Sequence, residues 1–236
     1  MIRRHFFAVA GGLTISTRVG AQQSMSVGYT PPGGARLTEF LDALPVTTRW
    51  IHRHRIVWQT GQQNAPDFEG PMAHTHCSAF VAAVALMLDI YFLRPPFHSQ
   101  ELLANAQADW LAGSGNFRGP IALDSKWRAL GASGTDNALD ASLSAAASGQ
   151  LVVAIYKAAP VTDSEGRSHQ RHGHVCIVRP PRQTSPPRQE GPDVISVGDV
   201  NRPRTSMRTA FHAHPGAWPD EIQLYAHSTD LESDSM

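Results

Sequence analysis

An almost wholly apolar run, Cys77 to Phe92 in THCSAFVAAVALMLDIYF, is closed by Arg94-Pro95-Pro96. Ala, Leu and Met favour helix and two prolines cannot continue one, so the run predicts a buried helix with Cys77 in its first turn. A shorter helix is expected over 35–44, where Leu37, Phe40, Leu41 and Leu44 recur at helical spacing. Gln100 to Leu111 reads as a second amphipathic helix with Ser99 placed to cap it, and Ala138 to Ala147 as a small-residue helix stopped by Gly149. Strands are expected at Arg55–Gln59, QLVVAIYK, HGHVCIV, DVISVGDVN and Glu221–Tyr225. The continuously apolar QLVVAIYK belongs in a sheet covered on both faces. TGQQNAPDFEG after the first strand, the Gly-rich 113–120, and RPPRQTSPPRQEGP read as loops. Helices come first and an antiparallel sheet after, which predicts an α+β fold.

Length and charge narrow this further. A chain of 236 residues suits one core, here expected over 35–227, with a flexible lead-in at 22–34 and a disordered polar tail at 228–236. Lys+Arg and Asp+Glu stand at 20 each, so nothing in the net charge points to nucleic acid or an anionic membrane surface as partner. Residues 1–21 have the layout of an export signal: Arg3-Arg4, an apolar stretch from Phe6 to Ile15, and small residues at Val19 and Ala21. The paired arginines followed by Phe6-Phe7 also resemble a twin-arginine signal. The expected location is periplasmic or secreted, with no stable membrane insertion after cleavage, since no second apolar stretch of about 20 residues follows.

Candidate chemistry centres on the two cysteines and the histidines. A thiol at a helix N-terminus is favoured as its anion by the unpaired N–H groups and the helix dipole. On a strand, His172, His174 and Cys176 share one face, with Val175 and Ile177 on the other. Asp199 and Asn201 likewise share a face of the next strand, and either is a partner for an imidazole nitrogen.

Cys77 at a helix start, then GHVCIV, then ISVGDVN together resemble the CHAP amidohydrolase/peptidase family and its NlpC relatives among the papain-like cysteine hydrolases. The resemblance implies a papain-like fold, N-terminal helices packed on a C-terminal antiparallel sheet, and cleavage of an amide bond, most naturally in peptidoglycan peptides. It implies Cys77 as nucleophile, His174 as general base and then acid, and Asn201 or Asp199 as the orienting residue, with no cofactor. The oxyanion then falls to the Cys77 backbone N–H and one further donor, for which Gln59, Gln62, Gln63 and His76 are candidates.

Two other readings stay open. In an exported protein Cys77 and Cys176 can form a disulfide, giving a stapled binding protein without a nucleophile. Alternatively HTHC and HGHVC, with four histidines and two thiols, can bind zinc or copper, against which His52, His54, His212 and His214 show that histidine is simply frequent along the chain. Trp58, Trp110, Trp127 and Trp218 are either groove lining or core, and Arg202 and Arg204 either receive a substrate carboxylate or stand in solvent.

Overall fold

A computed structural model of the chain describes residues 33–70, 74–100, 103–114, 117, 127–182 and 189–232. The expected export signal at 1–21, most of the lead-in, most of the Gly-rich loop and the last four residues lie outside the described residues.

The architecture is α+β. Helices α1 (Gly33–Asp42), α2 (Cys77–Met87) and α3 (Leu103–Leu111) precede the sheet, and α4 (Asp136–Ala147) and the one-turn α5 (Met207–Ala210) interrupt it. The strands are β1 (Arg55–Val57), β2 (Gln62–Ala65), β3 (Arg128–Ala132), β4 (Leu151–Tyr156), β5 (Val161–Thr162), β6 (Ser168–His169), β7 (His174–Val178), β8 (Asp193–Ser196), β9 (Arg202–Ser206) and β10 (Gln223–His227). Six form one antiparallel sheet in the order β3-β10-β4-β7-β8-β9, while β1-β2 and β5-β6 are separate hairpins. Among the described residues no helix is long and apolar enough to cross a membrane.

Strand alternation explains the layering. Leu151, Val153, Ile155, Val175, Ile177 and Ile195 point to one face and share a core with α1, α2 and α3. Val152, Ala154, Cys176, Val178 and Val194 point to the other, against the alanines of α4 and against Met207 and Phe211. Every residue of β4 and β7 is therefore buried, as the unbroken apolar spelling of QLVVAIYK requires.

Several expectations shift. Helix α1 starts two residues early because Gly33 and Gly34 pack on the end of α4, where a Cβ on Gly34 would lie 2.2 Å from the Ala147 carbonyl oxygen. The first strand stops at Val57 and turns back into β2, where a loop was expected. β3 and β9 are additions. β9 carries Pro203 inside RPRTS, and as the outer strand of the sheet it tolerates a residue without an N–H. The tail is ordered as far as Glu232: the Thr229 hydroxyl donates to the Gly149 carbonyl at 2.7 Å, and the Arg36 guanidinium donates to the Glu232 carbonyl at 2.6 Å.

Candidate active site

Cys77 is the first residue of α2, as expected, and is 4% exposed. The backbone N–H groups of Val175, Ser78 and Cys77 itself and the Thr75 hydroxyl lie close enough to favour its anion. Burial nevertheless pushes the thiol up, outweighing these donors. The stabilisation expected from the helix start is therefore present but outweighed. In the resting protein the desolvation of an enclosed sulfur is the larger effect.

His174 opens β7 and turns to the opposite face of the sheet. Its Nε2 lies 3.1 Å from the Ser196 hydroxyl and 3.2 Å from the Cys176 sulfur. The ring stacks on His214 with centroids 5.2 Å apart and meets Phe211 edge-on at 5.0 Å. Burial, with His214 close by, pulls His174 down to about 3, so its imidazole is neutral at ordinary pH. Cys176, wholly enclosed behind it, is pushed up by the same desolvation.

The two expected reaction partners therefore meet around the end of β7 through backbone. The Val175 N–H reaches the Cys77 sulfur while the adjoining His174 ring turns away, and among the described residues no hydrogen bond joins Cys77 to His174. What they share is Thr75, which touches the Cys77 sulfur and also lines a cleft of about 330 Å³ floored by His174 and Ser196.

Asp199 and Asn201 do not sit on a strand face. β8 ends at Ser196, and both lie in the turn before β9. Asn201 is a structural tie: its side-chain amide nitrogen donates to the carbonyls of Val46 at 2.9 Å and Arg49 at 2.8 Å, and its oxygen accepts from the Gly198 N–H at 3.3 Å. Asp199 is exposed at the cleft rim, 3.8 Å from the His52 ring. Neither bonds to His174; Ser196 does. Its only trace in the sequence is a lone hydroxyl in the apolar run VISV.

The remaining candidates separate cleanly. Gln59, Gln62 and Gln63 are exposed on or beside the β1–β2 hairpin, with Gln63 engaged by Asp67 at 2.6 Å. The His76 ring lies 2.8 Å from the His54 carbonyl, and burial pulls its pKa down. Cys77 and Cys176 are both free thiols on opposite faces of the sheet, which overturns the disulfide: β7 itself stands between them. His74 stacks on Phe68 at 3.8 Å, and among the described residues no group of three or more His, Cys, Asp or Glu side chains is arranged to hold a metal ion. Trp110 and Trp127 are core residues packed around Phe92, and Trp58 and Trp218 are half-buried, so the four do not line a common groove. Arg204 is taken by Asp193 at 2.6 Å, whereas Arg202 lines the cleft.

Compared with known proteins, the chain matches no family model, and no curated protein and no solved structure is significantly similar to it.

Proposed function

We propose that the protein is a cysteine-dependent amidohydrolase or peptidase acting outside the cytoplasm, with Cys77 as nucleophile, His174 as the proton carrier and cell-wall peptide as the leading substrate class. The observation that supports this best is the set of donors converging on the Cys77 sulfur at the start of α2. Donors so placed favour a thiolate, and the N–H groups among them suit the oxyanion that forms when the sulfur attacks a carbonyl.

The chemistry runs in two halves. The Cys77 proton passes to His174 and the sulfur adds to the amide carbon; the C–N bond breaks as His174 returns that proton to the leaving amine, leaving a thioester. Water, deprotonated by the same ring, then releases the acid and restores the thiol. Ser196 at Nε2 leaves Nδ1 to take the thiol proton, so the orienting role passes to Ser196 in place of Asn201 or Asp199. Because Cys77 and the His174 ring lie on opposite faces of the sheet at rest, this proton transfer requires a rearrangement around the end of β7, beside Thr75.

The test is a digest of purified cell wall with products identified by mass. The wild-type chain is expected to release peptides, and Cys77→Ala and His174→Ala to release none while remaining folded. Full activity in folded Cys77→Ala discards the mechanism. A second reading, a binding domain without chemistry, is favoured by the satisfied resting state of His174 between Cys176 and Ser196. It predicts equal retention of wild-type and Cys77→Ala protein on the same cell wall, with no product from either.

A further inference from the structure

The cleft beside His174 is lined by four histidines and one arginine, and that arginine is unspent. Arg202 opens β9, is exposed, and lines the cleft with no ion-pair partner among the described residues. Its neighbour two positions on, Arg204, is consumed by Asp193. From the loop after α5, His212 and His214 line the same cleft, and His172 lines it from the approach to β7. Asp199 is the only carboxylate on its wall among the described residues, and that group stands beside the His52 ring. Thr209 also lines the wall, and its hydroxyl, which accepts from Ser206, can donate to an oxygen.

We propose that this cleft is a carboxylate-binding site in which the Arg202 guanidinium receives a free carboxylate of the substrate and the His212–His214 edge contacts the adjoining residue. The planar fork of arginine matches a carboxylate with two parallel N–H···O bonds, a fit lysine cannot reproduce. A cleft of about 330 Å³ has room for one or two amino-acid residues. As a statement about substrate the proposal rests on the hydrolase reading above: the amide cut would lie within a residue or so of a free carboxylate, because His174 and Arg202 line one cleft.

Binding tests it without requiring turnover. The probe is acetyl-alanyl-alanine against its C-terminal carboxamide, titrated into the full chain carrying Cys77→Ala and followed by the histidine ring resonances of His212 and His214 in NMR spectra. The acid is expected to shift these rings saturably and to bind about tenfold or more tighter than the carboxamide, the range of a charge-assisted contact. Arg202→Gln should bring the acid down to the carboxamide's affinity, Arg202→Lys should recover part of the difference, and Arg208→Gln, whose partner is Glu190, should leave it unchanged. Equal affinity for the two probes, or a preference that survives Arg202→Gln, overturns the site. The two proposals fail separately: a carboxylate preference with no hydrolysis by wild-type protein removes the enzyme and keeps the site, and hydrolysis of both probe types without preference does the reverse.

Discussion

The two faces of β7 are built from alternate residues of one pentapeptide and have different character. Val175 and Ile177 face α2 and α3 in a dry apolar layer whose polar intruder is the Cys77 sulfur, met by backbone N–H groups. His174 and Cys176 face the other way, into a layer where an imidazole, a thiol and the Ser196 hydroxyl satisfy one another beside a cleft. On the first face a thiol is enclosed, with N–H groups nearby that favour its anion. On the second an imidazole lines a cleft but is held neutral by its burial. The proposed chemistry needs the two faces to communicate around the strand end, where Thr75 borders both the Cys77 sulfur and the cleft.

The contrast can be broken most forcefully at Cys77. Cys77→Ala should lower hydrolysis by about a thousandfold or more, because covalent catalysis is lost outright, with a melting temperature close to wild type by calorimetry. Ile177→Ala, on the same face, should do the opposite: a stability loss of about 2–5 kcal/mol in urea unfolding from the cavity opened under α2. Acid sharpens the second face. The unfolded chain protonates His174 near 6.5 while the folded chain resists until about 3, so stability is full above about pH 6.5 and falls as pH drops between those values. The slope from this residue is about 1.4 kcal/mol per pH unit, with His214, also lowered by burial, adding in the same direction. Unfolding curves from pH 7 to 4 measure this, and His174→Gln should flatten them.

Smaller effects belong to the rim. Asn201→Ala should cost about 1–3 kcal/mol, since it strands the carbonyls that its amide holds in the 46–50 segment, and the loss should appear in stability rather than in the pH profile of hydrolysis. Asp199→Asn, at an exposed site, should change stability by no more than about 0.5 kcal/mol. A large activity loss in folded Asp199→Asn would move the orienting role away from Ser196.

Local pattern made the framework legible. The helix at Cys77, the strand at 151–156 with both faces covered, and the alternation of His174 and Cys176 against Val175 and Ile177 all follow from period and propensity, and the structure has them. Of the elements that were not foreseen, β2, β3 and β9 are short and polar or contain Gly or Pro, so they carry little pattern of their own. They exist because a neighbouring strand completes their hydrogen bonds. Asp199 and Asn201 were placed on a strand by the same alternation rule, which fails once β8 ends at Ser196 and the chain turns.

By itself the sequence determined which residues must be covered, where helices must stop, and which atoms are chemically able to act: two thiols and a set of imidazoles. Only the tertiary structure decided that β7 separates Cys77 from the His174 ring, that Ser196 bonds the imidazole, that Asn201 braces a loop, and that Arg202 faces the cleft while Arg204 does not. The reason is range. Periodicity assigns a side chain to a face of its own element, but the partner on that face comes from whichever distant segment packs there, and burial by that segment sets the charge state of every group it covers.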